Sequence, residues 1–438
     1  MEVLVKVAQM LLGLSILVGI HELGHLLAAK AFGMRAEKFF IGFPPKVFSF
    51  KWGETEYGLG SIPLGGFVKI SGMIDESMDM KQMESEPQPW EFRSKPAWQR
   101  LIVMLGGIIM NVITGIVVFT MLVYINGEKY YSVDEVNKYG IYASEFAEDL
   151  GFRDGDKIIA VNGITIENFA DVLNPNYILE QNSYYTVLRD GKELKIPLPP
   201  DFMEQFSEQK DFISLRAPFK VKRVRQGSNA MKAGLEDGDK IVGINGVPVE
   251  YFREFRDSLI SNTGKGITLK VIHEGTTEPV TLNAQVGDDG LLGFEPEWLL
   301  NPSVNTFTLG QSIPKGTREA FDVILIQLKA FNKIFKGEVS ATKSISGPIG
   351  IANIFSGTWD WVQFWKITGM LSMVLAFMNL LPIPALDGGH VVFLTYEIVT
   401  GHKPSQRFLT GAQQVGMVLL LALMVFAFGN DIYRIFAN

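Results

Sequence analysis

Four apolar stretches constrain this chain most, because each approaches the roughly 20 residues that an α-helix needs to cross a bilayer. They cover about residues 3–32, 98–125, 361–381 and 409–428. The polar region between the second and third stretches, about 126–302, has strand-like alternation and turn signals. The sequence therefore predicts a polytopic α-helical membrane protein with a large extramembrane portion.

The amino-acid composition narrows the class of protein further. Hydrophobic residues make up 47% of the 438 residues and charged residues 20%, which suits a membrane protein with a sizeable soluble part. The net charge of -7 gives no support to nucleic-acid binding. The chain has no cysteine, so disulfides and thiolate metal sites are excluded.

Lysine and arginine are concentrated beside the loop that joins the first two spans. Lys30 and Arg35 lie at one edge of this loop, and Arg93 and Arg100 lie at the other. Basic residues near span ends favour the cytoplasmic side. We therefore expect this loop inside the cell and the region 126–302 outside.

The motif HELGH interrupts the first apolar stretch with His21, Glu22 and His25. Residues four apart share one face of a helix, so the two imidazoles can bind one metal ion while Glu22 reaches the vacant coordination position. Such a carboxylate can accept a proton from water that the metal activates. The motif also arises by chance as surface groups of soluble helices, but ionisable groups inside a membrane-length stretch indicate function.

A catalytic zinc ion needs a third protein ligand. The segment 379–390, after the third apolar stretch, is the best source, because two prolines break the helix there and free backbone groups that lipid cannot satisfy. We expect Asp387 to bind the metal. The alternative for Asp387 is an N-cap of the helix that resumes at Gly388, and His390 is a competing third ligand.

The extramembrane region contains an internal repeat. LGFRDGDKIIAVNG at 150–163 aligns with GLEDGDKIVGING at 234–246, so that Gly155 matches Gly238, 83 residues later. Each copy has a Gly-Asp turn, a short strand and an Asn-Gly turn that reverses the chain. The pattern resembles PDZ domains, which bind extended peptides at a sheet edge. Two domains that act only as steric filters are the alternative.

HELGH in the first span together with the later NLLPIPALDGGH segment resembles the site-2 intramembrane zinc metalloproteases, and the overall organisation is similar to their RseP-type bacterial branch. The resemblance covers nearly the whole chain. It implies that His21, His25 and Asp387 bind Zn²⁺. It also implies that Glu22 is the general base and that Asn379 contacts the substrate backbone or stabilises the intermediate. An Asn379 that only hydrogen-bonds between helices is the competing interpretation.

The same resemblance implies the substrates and the location. It implies cleavage within transmembrane segments of single-pass proteins, such as anti-sigma factors after a prior extracytoplasmic cut, and of remnant signal peptides. The expected location is the bacterial cytoplasmic (inner) membrane, in contact with the lipid bilayer. The PDZ-like domains, with their peptide ligands, would be periplasmic, and the active site would lie nearer the cytoplasmic face.

Two further segments have recognisable patterns. Aromatic residues alternate along 47–52 and an extended run follows at 64–70, which predicts a hairpin. The family resemblance implies that a membrane-associated β-hairpin here holds the substrate as a strand, although Pro44 departs from the usual Gly-x-Gly and puts substrate contacts at residues 42–43 in doubt. A purely structural hairpin is the alternative. Apolar residues at helical spacing in 321–335 predict an interfacial amphipathic helix.

These predictions divide the chain into consecutive segments. They are the first span with HExxH (1–35), the cytoplasmic loop with the hairpin (36–96), the second span (97–125), two PDZ-like α+β domains (126–217 and 218–302), the amphipathic linker (303–358), the third span with NxxPxPxLDGGH (359–398) and the fourth span (405–430).

Two other classes of function stay open at this stage. A transporter can also carry intramembrane acids and a broken helix, but it would more often show repeated span architecture. A non-enzymatic PDZ scaffold with a vestigial HELGH is the second. One tightly bound zinc ion would favour the protease over both.

Overall fold

A computed structural model describes residues 2–73, 86–174, 178, 182–202, 205–206, 211–336 and 347–437. The chain divides into two compact units. One comprises Met1–Gly127 with Thr306–Asn438, and the other comprises Glu128–Asn305.

The helices and strands of the described residues are numbered in chain order. The helices are α1 (Glu2–Ala31), α2 (Ala97–Asn126), α3 (Val133–Val136), α4 (Glu145–Asp149), α5 (Asn229–Ala233), α6 (Phe252–Ser261), α7 (Leu309–Phe335), α8 (Pro348–Ile354), α9 (Trp361–Leu380), α10 (Asp387–Thr400) and α11 (Gln406–Ala437). The strands are β1 (Ala36–Trp52), β2 (Thr55–Ile70), β3 (Glu128–Tyr130), β4 (Ile141–Ala143), β5 (Lys157–Val161), β6 (Tyr184–Arg189), β7 (Lys192–Pro197), β8 (Ile213–Leu215), β9 (Phe219–Val224), β10 (Lys240–Ile244), β11 (Val247–Pro248), β12 (Gly266–Ile272), β13 (Val280–Gln285), β14 (Phe294–Trp298) and β15 (Ser303–Asn305).

Membrane-length helices dominate the first unit. Four described helices are long and apolar enough to cross a membrane, namely α1, α2, α9 and, within α11, residues 407–433. The predicted number of spans is therefore confirmed. The predicted third span is divided, because α9 ends at Leu380 and α10 begins only at Asp387. Pro382 and Pro384 lie in this gap, where they cannot donate the backbone hydrogen bonds of a continuous helix.

The loop between α1 and α2 forms the expected β1–β2 hairpin, in a more folded form than a simple ribbon. Phe39 is paired both with Val68 and with Tyr57, so the first half of β1 lies between the two halves of β2. Residues 66–70 of β2 consequently form an edge strand. Within this sheet, the other edge of that strand is not covered by β1.

Helix α7 packs on the membrane helices through small residues. Ser312, Gly316 and Ala320 follow one another at intervals of four along the helix. Ser312 and Ala320 are fully buried, and a Cβ on Gly316 would lie 2.3 Å from the Thr120 backbone nitrogen of α2. Several of the large apolar residues that predicted an amphipathic helix, such as Leu325, stay about half exposed, whereas Ile324 packs against the cluster that contains Ala320. Small residues at a helix contact, with large apolar residues left to lipid, are typical of packing in membranes.

The second unit contains two hydrophobic cores and repeats one strand arrangement. The first half has the order β5-β6-β7 with a separate β4-β8 pair, and the second has β10-β12-β13 with a separate β9-β14 pair. Asn162 and Asn245 have φ of 52° and 49°, as a tight hairpin turn requires at Asn-Gly. Both Asn side chains accept a backbone N–H from a neighbouring strand, that of Tyr184 on β6 and that of Thr268 on β12. The predicted internal repeat is thus present in three dimensions.

The buried aspartate of each Gly-Asp turn has a different cationic partner in the two halves. Asp156 accepts hydrogen bonds from the Arg189 guanidinium at 2.6 and 2.7 Å. Asp239 lies 2.8 Å from His273 Nδ1. This hydrogen bond raises the pKa of His273 above its ordinary value, whereas arginine keeps its charge at any working pH.

We expect the second half to lose local stability as pH rises. A raised folded-state pKa means that the stabilisation is complete below the unfolded pKa of about 6.5 and is lost as pH passes the folded value. Amide hydrogen exchange of β10 in the full chain, corrected for its intrinsic pH dependence, should report this loss. Strand β5 is the internal control, and His273→Arg should abolish the effect. Equal pH dependence of β5 and β10 would contradict the prediction.

Candidate metal centre

Helix α1 and the start of α10 bring three metal-binding side chains together. His21 Nε2 lies 3.2 Å and His25 Nε2 lies 3.3 Å from the same Asp387 oxygen, Oδ2. The two Nε2 atoms are 3.2 Å apart. Both histidines are less than 10% exposed. Of the described residues, only this trio of His, Asp or Glu side chains could hold a metal ion as a group of three.

The spacing of these atoms fits a tetrahedral zinc ion. Ligands about 2.0–2.1 Å from zinc at tetrahedral angles are about 3.3–3.4 Å from one another, close to the three separations in the cluster. Asp387 Oδ2 is buried and has no hydrogen-bond partner among the described residues. A buried carboxylate oxygen without a partner is costly, and a bound cation removes that cost.

Both imidazoles are oriented by helix α2. His25 Nδ1 lies 2.8 Å from the Val103 carbonyl, so Nδ1–H donates there and the Nε2 lone pair faces the cluster. His21 Nδ1 lies 3.2 Å from the Asn111 side-chain nitrogen. The other end of that amide, Asn111 Oδ1, is buried and has no hydrogen-bond partner in the described part of the chain.

Asn111 was not identified from the sequence. It is fully buried and lies in the middle of an apolar span, where a polar side chain is itself a signal. That signal names no partner, because the contact joins residues 21 and 111 on different helices. Only the crossing of α1 and α2 reveals which histidine Asn111 touches.

A close crossing of glycines places α2 beneath the histidines. A Cβ on Gly24 would lie 2.2 Å from the Gly106 carbonyl oxygen, and one on Gly106 would lie 2.6 Å from that of Gly24. A Cβ on Gly107 would lie 2.5 Å from His25 Nε2. Side chains are therefore excluded from this part of the crossing, and the absence of a Cβ at Gly107 leaves room for the imidazoles.

The chain turns tightly just before Asp387, which explains the two glycines that follow it. A Cβ on Gly388 would lie 2.1 Å from the Leu381 carbonyl oxygen, and one on Gly389 would lie 2.7 Å from that of Ile383. Helix α10 begins at Asp387 itself, and no side chain caps it. The alternative that Asp387 is an N-cap for a helix starting at Gly388 is therefore wrong.

The remaining predicted site residues lie around the trio. Asn379 Nδ2 is 3.3 Å from His21 Nε2, which places its amide beside a predicted ligand atom. Glu22 lies beside the edge strand of β2, because a Cβ on Gly66 would lie 3.4 Å from Glu22 Cγ. His390, the competing ligand, is outside the trio and lines a neighbouring cavity instead.

The chain is similar to known metalloproteases. A family model described as peptidase family M50 matches residues 9–423. The chain is 29% identical to the regulator of sigma-E protease RseP of Escherichia coli over 98% of both chains. It is 28% identical to a putative zinc metalloprotease of Neisseria meningitidis, covering 96% of this chain and 97% of that one. A putative zinc metalloprotease of Treponema pallidum is 25% identical over 97% of this chain and 98% of its own.

Proposed function

Because this chain belongs to peptidase family M50, we propose that His21, His25 and Asp387 hold the zinc ion with which it cleaves peptide bonds inside transmembrane segments. Family membership and the four membrane-length helices make it an intramembrane zinc metalloprotease. The observation that carries the residue assignment is the trio itself. Its three ligand atoms lie within 3.3 Å of one another, among helices long enough to span a bilayer.

The ligands are prepared for a cation by their other hydrogen bonds. His25 donates Nδ1–H to Val103, and its Nε2 therefore carries a lone pair. His21 needs the same tautomer, with its proton on Nδ1. Turning the Asn111 amide by half a turn offers Oδ1 to that proton in place of Nδ2. Asn111 then serves as the positioning residue for His21.

Glu22 and Asn379 carry out the proton transfer and the charge stabilisation. A zinc ion in this site supplies Lewis acidity, which polarises a carbonyl and makes water more acidic. Glu22 accepts the proton of the attacking water and later donates it to the leaving amine. The Asn379 amide donates a hydrogen bond to the oxygen on which negative charge develops.

The edge strand of β2 positions the substrate. Peptide bonds of a transmembrane helix are hidden from attack, so the substrate must unwind first. An unwound segment can add as a strand to the edge formed by residues 66–70. This edge runs past the proposed catalytic carboxylate, because a Cβ on Gly66 would lie 3.4 Å from Glu22 Cγ. A substrate strand placed there brings its backbone to the site.

The proposed substrates are single-pass membrane proteins of the anti-sigma-factor kind, cut after a first extracytoplasmic cleavage, and remnant signal peptides. The chain would lie in the bacterial inner membrane, with the PDZ-like second unit in the periplasm and the site nearer the cytoplasm. The concentration of lysine and arginine at the ends of the loop between α1 and α2 supports this orientation. The two halves of the second unit would bind peptide ends or filter substrates by size.

Zinc analysis of ligand variants tests the assignment. The full chain is purified in detergent, and its zinc is measured per protein at a buffered free-zinc concentration. We expect one zinc ion for the wild type, none for Asp387→Ala, and one for His390→Ala, because His390 lies outside the trio. Zinc retained by Asp387→Ala but lost by His390→Ala would refute the ligand set.

We expect Asn111→Leu to lower zinc affinity about 10- to 100-fold, the usual cost of removing the partner of a ligating histidine. Asn111→Asp should retain affinity, because a carboxylate also accepts the His21 Nδ1 proton. Zinc titration with a competing chelator measures both. Thr114→Val is the control, since the Thr114 hydroxyl donates to the Met110 carbonyl within α2. Equal affinity in the Leu and Asp variants would show that Asn111 does not orient His21 through this bond.

A further inference from the structure

A cavity in the first unit shares a wall with the metal-bearing segment but is separate from the trio. Its volume is about 100 Å³. Pro384, Ala385 and Gly389 form one wall, and α10 and α11 contribute Phe393 and Leu409. These residues give the cavity an apolar wall. Because it is smaller than the roughly 300–1,000 Å³ of typical ligand pockets, it accepts only part of a larger ligand.

Of the three lysine and arginine side chains that line this cavity, one has no carboxylate partner among the described residues. Arg100 and Arg93 both line it, and both are paired with carboxylates, those of Glu397 and Glu91. Lys403, in the turn between α10 and α11, has no carboxylate within 4 Å among the described residues, and its ammonium group contacts only the Arg93 carbonyl, at 3.5 Å. Partial burial and the neighbouring guanidinium of Arg100 lower the pKa of Lys403. The site therefore favours an anion beside Lys403.

The interior of the cavity also offers unused hydrogen-bonding groups. Gln413 lines it and is only 7% exposed. Neither Gln413 nor His390, which also lines it, has a hydrogen-bond partner in the part of the chain that the structure describes. Polar atoms of a ligand in the cavity can therefore hydrogen-bond to the Gln413 amide.

The cavity lies at the basic end of the membrane helices. Arg93, Arg100, Lys403 and Arg407 all belong to loops or helix ends on the side to which the Lys and Arg bias assigns the cytoplasm. Basic pockets between membrane helices at that level bind the headgroups of anionic lipids. Of the anions that the chemistry allows, one that carries acyl chains also uses the apolar lining.

We propose that this cavity binds an anionic phospholipid, whose phosphate contacts Lys403 and whose ester oxygens reach Gln413. One acyl chain packs against Phe393 and Leu409. The lipid also touches Pro384 and Gly389 on either side of Asp387, so occupancy holds the metal-bearing segment in place. The site is an addition to the proposed function and does not depend on zinc.

The test is a lipid titration of the full chain in neutral detergent. Phosphatidylglycerol and phosphatidylcholine with the same acyl chains are compared, and bound lipid per protein is counted by native mass spectrometry. We expect one phosphatidylglycerol to bind in preference to phosphatidylcholine. Lys403→Gln should lower its affinity about fivefold, the effect of one basic residue at a membrane surface. Arg407→Gln, in the neighbouring turn of α11 but outside the cavity, should leave it unchanged.

Two further arms complete the experiment. Gln413→Leu leaves every charge in place and should also weaken phosphatidylglycerol binding, about fivefold for one lost hydrogen bond, so the proposal stays testable if Lys403→Gln does not fold. Inorganic phosphate alone should neither displace the lipid nor raise the melting temperature. Equal affinity for both lipids, equal losses in Lys403→Gln and Arg407→Gln, or equal stabilisation by inorganic phosphate would each overturn the lipid site.

Discussion

Replacing Glu22 with Gln is expected to reduce cleavage of a membrane-embedded substrate by a factor of about 10²–10⁴ while zinc content stays at the wild-type level. Glutamine has nearly the same shape as glutamate, and the substitution leaves His21, His25 and Asp387 unchanged. Glutamine cannot take a proton from water. The measurement pairs zinc analysis with the cleavage rate of a single-span model protein in proteoliposomes.

The control for this prediction is Glu2→Gln, the same substitution at the start of the same helix, where Glu2 is exposed. It should retain both zinc and activity. Turnover by Glu22→Gln at a rate close to that of the wild type would remove Glu22 from its role as the base. Loss of zinc in Glu22→Gln would instead make it part of the ligand set.

Features that depend on a single element could be predicted from the sequence. The four spans follow from local hydrophobicity, and the Asn-Gly turns of the repeat follow from the φ > 0 that Asn162 and Asn245 adopt. The HExxH spacing placed His21 and His25 on one helix face. The structure also brings Asp387 to them, but its binding of zinc, like the PDZ-like nature of the two halves, stays a prediction.

Features that depend on how elements cross could not be predicted. Periodicity identified α7 but not the face that packs on α2, because burial of large apolar residues is the rule in water and not in lipid. The contacts of small residues, such as Gly316 on Thr120, decide that orientation. Likewise, the hairpin was expected, yet the placement of β1 between the two halves of β2 requires long-range pairing of Phe39.

The residues that orient the two histidines could not be predicted from the sequence for the same reason. Val103 and Asn111, which orient the two histidines, are separated from them by 78 and 90 residues in the chain. Their partners are fixed by where α2 crosses α1, and that crossing depends on the contact of Gly24 with Gly106. From the sequence alone, Asn111 can be recognised only as a polar residue within a membrane span.

Gly107→Ala is expected to remove zinc, and with it the cleavage activity, although it adds a single methyl group. The new Cβ would lie 2.5 Å from His25 Nε2 and from His21 Cε1, well inside van der Waals contact, and one of these atoms is a presumed ligand. The imidazoles or helix α2 must move. Because the backbones of Gly24 and Gly106 are already in contact, a shift of α2 also disturbs the crossing.

The loss of zinc affinity in Gly107→Ala shows whether the metal site can accommodate the added methyl group. Displacing one ligand should cost at least the 10- to 100-fold in zinc affinity that losing the partner of a ligand costs, and zinc titration with a competing chelator measures it. Gly429→Ala is the matched control, since Gly429 lies in the membrane helix α11 and no described residue outside the local helix backbone comes within 4 Å of its added Cβ. That variant should bind zinc normally, because alanine favours a helix over glycine by about 1 kcal/mol. Normal zinc affinity in Gly107→Ala would mean that the zinc-bound imidazoles lie farther from α2 than this geometry places them, and the ligand positions would have to be revised.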